Sequence, residues 1–465
     1  PRQRFTIAVA SEEKLKDAPG IITVITAEEI KRYGYRNLRD ILDRQTHMQI
    51  IGSNVFPHDR VSLRGSSFTH TDNTVLPLLN GRPIRDASSV SNNQDLYEAL
   101  PEEAIKQIEI IRGPGSVLYG TNAFAGVINI ITKDAPASSG GSASFTYGSF
   151  DTKKGTFSGG GQWGGFEIYG SINAFDAAGD DFHNITDQFG TLGTYKTGAD
   201  GQSAVVQAKY KGFTLNSLLT NTSQDQVRTL FQFPADDIDT EREYVDLGYK
   251  HDLTDAWDIS ANILYHHYDT KFKFNAAGAP TGLNSDNVFA EVTSNAKITE
   301  KLSFLVGGSY NELDGLFKND GTTYNNHTYS GYAQADFWLL DWLKLIGGVQ
   351  YNKPEQSSGE FSPRAGAIAH LNEQWGVKLL YGEAFREPSP IDRFLMAPPI
   401  VIGNPDLKPE TIKTFDAQLN YTNTRGSFAI TYFHSNQQLI ARVPNPIPPP
   451  AQLIANAGEV TYDGI

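Results

Sequence analysis

The chain has 465 residues, 39% of them hydrophobic, and a formal net charge of −14. This acidic balance argues against a nucleic-acid-binding protein, because such proteins carry a basic footprint. The sequence contains no apolar run of about 18 residues, the length that a transmembrane helix needs. Transmembrane β-strands give a weaker hydropathy signal, so a β-barrel is not excluded. Cysteine is absent, which suits an oxidising compartment but is weak evidence alone.

Residues 1 to about 135 are predicted to form an α+β unit. A short apolar strand, Gly20–Ile25, precedes a helix in which Thr26 and Glu29 form a capping box and which Gly34 ends. A second helix is predicted over Asn37–Arg44. The remaining predicted elements are strands and one helix start: Met48–Ile51, Val61–Arg64, Val75–Leu79, the helix start Pro101-Glu102-Glu103, Ile108–Ile111 and Val127–Thr132.

The residue pattern of the sequence changes after Ala135–Gly141, a segment of small residues that we interpret as a linker. Segments of roughly 10 to 14 residues then alternate apolar and polar side chains. In one of them, Val288 and Val292 fall on one face and Glu291 and Thr293 on the other. This period of two indicates β-strands, although the strands of a soluble β-sandwich would alternate in the same way.

The connections between these segments favour a membrane barrel over a sandwich, because they alternate in length. The short ones are Gly159–Gly165, Tyr210–Phe213, Leu253–Trp257, Thr299–Leu302, Asp341-Trp342, Leu371–Trp375 and Asn423–Gly426. The long ones are 178–201, 225–241, 273–286, 314–328, 386–409 and 445–458. Tight turns at one end and long loops at the other are typical of outer-membrane barrels.

Aromatic residues cluster near the predicted strand ends, as in the girdles at a membrane interface; they include Tyr147, Trp163, Trp257, Trp338, Trp342, Trp375 and Tyr421. We find about 15 strands and the start of another. Since a single-chain barrel of this type closes with an even number of strands, the last part of the barrel is expected to be missing from this chain.

Several motifs, in a fixed order along the whole chain, make it resemble the TonB-dependent outer-membrane receptors. The longest is IEIIRGPGSVLYGTNAFAGVINIITK at Ile108–Lys133. The others are DAPGIITVITAEEI at Asp17–Ile30, VSLRG at Val61–Gly65, LLNGRPI at Leu78–Ile84, FSPRAG at Phe361–Gly366, YGEAFREPS at Tyr381–Ser389 and GNPDLKPET at Gly403–Thr411.

The resemblance implies a membrane all-β fold: a transmembrane antiparallel β-barrel, of about 22 strands in the full protein, with an α+β plug domain inside its lumen. It divides the chain into an N-terminal segment (1–16), a plug (17–135) and a partial barrel (141–465). It implies active uptake with no catalytic residues and no covalently bound cofactor. The implied partners are TonB with ExbB and ExbD in the inner membrane, outer-membrane lipid and lipopolysaccharide, and a small metal chelate.

Energy for uptake enters such receptors through a TonB box, a short segment that pairs as a strand with TonB. Our candidate is the extended, β-rich run just before the plug: Phe5, Thr6, Ile7, Ala8, Val9 and Ala10. The same run could instead be the first strand of the plug.

The resemblance also implies that plug arginines pair with acidic residues of the inner barrel wall. Arg64 and Arg112 match the plug positions, and alternation puts Asp416 on the polar face of its strand. Glu383 matches the other wall position, but alternation groups it with Leu379 and Tyr381 on the lipid face. Ordinary solvated charges in a wet lumen are the alternative interpretation.

The ligand is expected between the apices of the plug and the extracellular loops, where the candidate residues are Asn54, Phe56, His58, Phe68, His70, Arg85, Asp86, Ser88 and Asn92. A ferric siderophore is favoured. Haem receptors carry a histidine between two barrel motifs that resemble those of this chain, and residues 387–403 contain none. Lone loop histidines such as His47, His58 and His70 are rarely ligands, and cobalamin is a further alternative.

Other protein classes fit the sequence less well. An enzyme would need a ligand cluster or a nucleophile motif, and the adjacent His266 and His267 point to opposite faces of a strand, so they cannot share a metal. A passive porin would lack the plug motifs. A barrel that binds at the cell surface without active transport is the remaining alternative.

Overall fold

Strands dominate the chain in the computed structural model. It describes residues 16–51, 60–66, 74–87, 94–115, 123–186, 190–225, 237–272, 281–318, 320–355, 357–397, 401–444 and 452–465. Among these residues no helix has the length and apolar character needed to cross a bilayer.

The N-terminal unit (residues 16–135) contains short helices that its local sequence signals explain. Helix α1 begins after Thr26, whose hydroxyl accepts the Glu29 N–H while the Glu29 carboxylate accepts the Thr26 N–H, and it ends at Gly34 in the left-handed conformation. The helices are α1 Ala27–Tyr33, α2 Leu38–Asp43, α3 Gln94–Ala99 and a 3₁₀ turn at Glu102–Ala104. The helix predicted from Pro101 is therefore only this turn, and α3 was not predicted.

The strands of the N-terminal unit are β1 Ile21–Thr26, β2 Met48–Ile51, β3 Arg60–Leu63, β4 Val75–Leu79, β5 Arg82–Pro83, β6 Ile105–Arg112 and β7 Gly126–Thr132. Five of them form one sheet in the order β1-β6-β7-β4-β5, so β1 is an edge strand. Every residue of β4 and β7 is buried. This burial on both faces explains why these strands are continuous apolar runs without alternation.

The rest of the chain builds a second, much larger sheet, which we call the wall. Its strands are β8 Gly140–Gly148, β9 Thr152–Trp163, β10 Phe166–Ala177, β13 Ala199–Tyr210, β14 Phe213–Gln224, β15 Ile238–Thr254, β16 Trp257–Phe272, β17 Thr281–Thr299, β18 Leu302–Phe317, β19 Thr323–Leu340, β20 Leu343–Pro354, β21 Glu360–His370, β22 Trp375–Arg386, β25 Glu410–Asn423, β26 Gly426–Pro444 and β27 Gln452–Gly464. Each pairs antiparallel with the next one in this order.

Smaller elements lie in two of the long connections. The hairpin of β11 Asp181–Thr186 and β12 Leu192–Lys196 follows β10. Helix α4 Pro390–Phe394 and the strands β23 Met396–Ala397 and β24 Val401–Ile402 follow β22. The connection predicted at 314–328 is not a long loop: β18 and β19 extend into it and leave only residues 318–322 between them. The ends of β18 and β19 pair with each other up to Leu316 and Thr323. The pattern of a single segment does not reveal such pairing, so the sequence predicted a longer loop.

Alternation along the wall separates two faces, as predicted. On β15, Tyr244 is fully buried whereas Leu247 is 52% exposed. At the short-turn end the outer face carries aromatic pairs, with ring centroids 3.9 Å apart for Phe166 and Tyr210 and 4.8 Å apart for Trp375 and Tyr421. The outer face is thus apolar with aromatic residues at its edge, the pattern of a surface that faces lipid.

The inner face of the wall surrounds the N-terminal unit. Side chains of strands from β9 to β26 contact it. Lys154 of β9 bonds Glu102 and Asp416 of β25 bonds Arg64, and the Phe433 ring of β26 packs under the Arg64 guanidinium. The largest apolar core joins residues of the small sheet to the wall residues Tyr169, Val205, Leu218, Tyr244, Leu264 and Phe289. The N-terminal unit therefore fills the space inside the curved wall.

Candidate functional site

The candidate functional site is the interface between the N-terminal unit and the wall, where buried charges meet. Arg64 and Asp416 form an ion pair of 2.8 Å between Nη2 and Oδ1, and each side chain is 7% exposed. The guanidinium also lies over the Phe433 ring, 4.5 Å from its centroid. The structure brings these two sequence candidates together.

The local backbone aims Arg64 at the wall. Arg64 itself has a positive φ of 55°, directly after β3, and its N–H donates to the His47 carbonyl at 2.8 Å. Gly113 lies against the same carboxylate, where a Cβ atom would come within 3.3 Å of Asp416 Oδ2. Gly113 also has a φ of 92°, so both space and conformation favour glycine there.

Arg112 lies beside this pair but bonds within the N-terminal unit. Its guanidinium donates to the Thr23 hydroxyl at 2.6 Å and to the Thr46 carbonyl at 3.0 Å. Burial lowers the pKa of Arg112 to about 10, and the nearby charge of Arg64 acts in the same direction. Arg112 thus braces β6 against β1 and shares a small cavity of about 40 Å³ with Asp416.

Glu383 does not meet the N-terminal unit. It accepts a hydrogen bond from the Tyr381 hydroxyl and lies 3.7 Å from the Lys413 ammonium. Tyr381 is exposed on the outer face of β22, so Glu383 follows the alternation of its strand rather than the motif. The interpretation of Glu383 as a wall partner of a plug arginine is not supported by this geometry.

A second charged contact, which the sequence reasoning missed, centres on Arg82. Asn80 and Gly81 have positive φ values and turn β4 into β5, so Arg82 projects from this turn. Its guanidinium bonds Glu291 and Asn262 of the wall, and its Nε lies 4.0 Å from Asp246 Oδ1. Arg82 is part of the LLNGRPI motif, and Glu291 lies on a predicted polar face. The sequence therefore singled out both residues but did not show that they pair.

A third contact, also missed, joins α3 to the wall. Arg242 donates from Nε and Nη2 to the two oxygens of Asp95 at 2.7 and 2.8 Å, and both side chains are fully buried. The Thr220 hydroxyl donates to Asp95 Oδ2 at 2.6 Å. Asp95 lies in the first turn of α3, where the helix dipole favours a carboxylate. Both carboxylate oxygens of Asp95 therefore accept hydrogen bonds from the wall.

The ligand candidates Arg85 and Asp86 are buried under the connection that follows β22. Arg85 is 4% exposed and Asp86 is 0% exposed. Burial lowers the pKa of Arg85 to about 10, although the charges of Glu387 and Asp86 oppose this shift. Ile391 and Phe394 of α4 pack on the cluster that contains Ala87. Arg85 is therefore largely closed off from solvent in this structure.

The covering connection is itself anchored by a buried arginine. Arg386 binds the Glu410 carboxylate and donates to Asp392 Oδ2 at 2.9 Å. The Ser389 hydroxyl caps α4 by accepting the Asp392 N–H. Asn326 also donates to Glu387 at 2.9 Å, which ties the connection to β19.

The remaining candidates lie outside the described residues. These are the ligand candidates Asn54, Phe56, His58, Phe68, His70, Ser88 and Asn92, and the TonB-box candidates Phe5, Thr6, Ile7, Ala8, Val9 and Ala10. Within the part of the chain that the structure describes, no three His, Cys, Asp or Glu side chains are grouped so that they could hold a metal ion.

Comparison with known proteins agrees with this architecture. The model of the TonB-dependent receptor plug domain matches residues 14–127, and the model of the TonB-dependent receptor-like β-barrel matches residues 176–465. The ferric enterobactin receptor of Pseudomonas aeruginosa superimposes with a TM-score of 0.80 at 17% identity, over 97% of this chain and 78% of that chain. At this identity the likeness is one of fold.

Sequence relatives extend over almost the whole chain. The iron-regulated outer membrane virulence protein of Vibrio cholerae is 25% identical over 94% of this chain and 69% of its own length. The vitamin B12 transporter of Photobacterium profundum is 23% identical over 98% of this chain and 73% of its own length. Since the two family models cover most of the chain, the protein belongs to the TonB-dependent receptors, with a plug domain that the barrel wall surrounds.

Proposed function

We propose that this receptor takes up a ferric siderophore across the outer membrane of a Gram-negative bacterium, driven by TonB with ExbB and ExbD. The outer membrane holds no ATP and no ion gradient, so active transport through it needs force from the inner membrane. The apolar outer face of the wall would contact outer-membrane lipid and lipopolysaccharide.

The observation that carries this proposal is that charge pairs and hydrogen bonds fasten much of the plug to the wall. Arg64 with Asp416, and Arg82 with Glu291, join the plug to the wall. A charged contact holds a defined register when closed, and water can hydrate both partners when it opens. Such contacts suit a plug that must move and return to the same register.

The siderophore assignment rests on relatives and on the chemistry of the covered site. The relatives include the iron-regulated protein of Vibrio cholerae and a siderophore receptor of Acinetobacter baumannii that is 22% identical over 94% of this chain. Arg85 offers a guanidinium for an anionic chelate. Under this proposal the connection that follows β22 opens, and the ligand then contacts Arg85 and Asp86. It also contacts the candidates within 54–58, 68–70 and 88–92, which lie outside the described residues. Cobalamin is the second candidate, because the Photobacterium relative is a vitamin B12 transporter.

Energy coupling is proposed to use Phe5–Ala10 as the TonB box. Strand addition depends on backbone hydrogen bonds and tolerates varied side chains, which fits this mixed apolar run. The box would precede the plug by only a few residues, so a pull on it would reach Asp17 almost directly.

The test is uptake by cells that make the full-length receptor, with and without TonB. Radiolabelled ferric siderophores and radiolabelled cobalamin are offered separately, and wild type is compared with Ile7→Pro and with Ile7→Val as the matched control. Proline removes a backbone donor and should prevent strand pairing, whereas valine keeps it.

We expect a ferric siderophore to accumulate only with TonB and only in wild type and Ile7→Val cells. Accumulation of cobalamin instead would transfer the assignment to the second candidate. Uptake that does not need TonB would overturn the transport proposal, and TonB-dependent uptake by Ile7→Pro would place the box elsewhere.

A further inference from the structure

The entry of the chain into the plug is held by a row of basic side chains from the wall. Residues 17–20 run along the short-turn end of the strands, just before β1 begins at Ile21. Pro19 has no N–H and Gly20 donates back to the Ala18 carbonyl at 2.9 Å, so this segment turns on itself instead of joining the sheet. Its carbonyl groups point to the wall, which supplies their donors.

Three neighbouring strands supply these donors. Lys344 on β20 donates to the Asp17 carbonyl at 3.2 Å, and Arg364 on β21 donates to the Pro19 carbonyl. Lys378 on β22 donates to the carbonyls of Ala18 at 2.9 Å and Gly20 at 3.2 Å. Four consecutive carbonyl groups are therefore held by three cations.

Two side-chain contacts extend the same row. His370 Nε2 lies 2.8 Å from Asp17 Oδ1, and the His370 ring stacks on Trp338 with centroids 5.7 Å apart. Lys16 donates to the Glu373 carbonyl in the turn between β21 and β22 at 3.1 Å. Lys378 is only 3% exposed, so its ammonium is committed to this segment rather than to solvent.

The position of the row gives it a mechanical consequence. Among the residues that the structure describes, β1 is the edge strand of the plug sheet and pairs with β6 alone. A pull on the N-terminal segment that reached β1 directly would peel it from β6 one hydrogen bond at a time. Bonds at residues 17–20 lie before β1 on the chain, so they must open first.

We propose that Lys344, Arg364 and Lys378 form a clamp that fastens residues 17–20 to the wall, shields β1 from a pull on the N-terminus and sets the load at which the plug begins to move. This inference rests on the proposed function, because it assumes that force enters through the N-terminal segment. The three residues position the segment and have no part in ligand binding. The clamp also gives a role to Arg364 of the FSPRAG motif and to residues 17–20 of the DAPG motif.

The test is single-molecule force spectroscopy of the full-length receptor in lipid bilayers, pulled through a cysteine introduced at Arg2. These 465 residues contain no natural cysteine, so the introduced thiol is the single attachment point among them. Wild type is compared with the triple variant Lys344→Met, Arg364→Met and Lys378→Met. Lys301→Met is the matched control, because Lys301 pairs with Asp341 in exposed turns at the same end of the wall.

We expect wild type and Lys301→Met to show an early rupture before the plug sheet unravels, and the triple variant to lose it. Lys378→Arg should keep it, since arginine restores the donors, and this variant distinguishes loss of the clamp from misfolding. An early rupture that persists unchanged in the triple variant would overturn the clamp. Neither TonB nor ligand is present, so this result is independent of the uptake experiment.

Discussion

Two sides of the barrel wall hold the plug in different ways. On β10 and β13 to β17, the buried side chains Tyr169, Val205, Leu218, Tyr244, Leu264 and Phe289 join the apolar core of the plug. On β20 to β22, cationic side chains donate to backbone carbonyl groups of the plug, and on β25 Asp416 pairs with Arg64. The apolar cluster there is a small one of Phe124, Ala384 and Ile412. The first side also carries the buried pairs of Arg82 with Glu291 and of Asp95 with Arg242, so the two sides differ in the size of their apolar contact with the plug and not in the presence of charge. We call them the apolar side and the charged side.

The difference indicates where movement of the plug would start. Apolar contacts lose free energy in proportion to the area that water reaches, so the apolar side resists any separation. Charged contacts can exchange a protein partner for water at a smaller net cost. We therefore expect the plug to open first on the charged side and to stay attached on the apolar side. Four substitutions test this comparison through the free energy of plug unfolding.

The largest effect is expected for Asp95→Ala, within the apolar side. It would leave the Arg242 guanidinium buried without its carboxylate, which costs about 3–5 kcal/mol. The measurement is urea unfolding of the receptor in lipid vesicles, followed by a fluorophore on a cysteine introduced at the exposed Glu28. The double variant Asp95→Leu with Arg242→Met is the control, because it removes both charges. If the double variant were as unstable as Asp95→Ala, uncompensated charge would not be the cause.

Leu218→Ala tests the apolar contact itself. Leu218 is fully buried between wall and plug core, and a cavity at such a site costs about 2–5 kcal/mol. The same urea titration measures it. Leu219→Ala is the matched control on the outer face, where Leu219 is 45% exposed. Equal losses of plug stability in the two variants would mean that the apolar side does not hold the plug.

Asp416→Asn on the charged side should cost less, about 1.5–3 kcal/mol, because Asp416 holds one ion pair whereas Asp95 accepts three hydrogen bonds. Glu383→Gln is its control and should change plug stability by less than about 0.5 kcal/mol, since Glu383 lies on the outer face. If Glu383→Gln lowered plug stability more than Asp416→Asn did, the assignment of Asp416 to the inner face and of Glu383 to the outer face would be wrong.

The pair Asp416 and Glu383 also shows how far the sequence could lead. Period-two alternation assigned both residues to the correct face, because the faces of a strand depend only on local geometry. The family motif alone would have put Glu383 against the plug. The plug, the wall and their order were likewise predictable, since caps, apolar runs and motifs are local signals.

The contacts of Arg82, Asp95 and Arg242 could not be predicted in the same way. Asp95 and Arg242 are separated by 147 positions, and they meet only because the plug docks in one orientation inside the wall. Helix α3 was missed as well: it has six residues, too few for a clear period, and packing against the wall stabilises it. The number of strands in the complete barrel stays a prediction.

The smallest effect is expected at the junction of plug and wall, for Asp134→Asn. Asp134 receives hydrogen bonds from Lys106 at 2.5 Å and Lys209 at 2.6 Å, and it is about half exposed. Burial would raise its pKa, but the two lysines together outweigh burial and lower it. A lowered pKa in the folded state stabilises the fold above the unfolded pKa of about 3.9, and this contribution is lost as the pH falls through the folded pKa.

Wild type should thus be more stable than Asp134→Asn at neutral pH by less than about 1 kcal/mol, because solvent screens an exposed pair. The difference should shrink once the pH falls below about 4, where the carboxylate of the unfolded chain is already protonated. Urea titrations of both proteins at several pH values measure it, with Asp341→Asn as a control whose lysine pair does not involve the plug. A stability difference that stays constant across this pH range would mean that the charge of Asp134 does not fasten the junction between the plug and the wall.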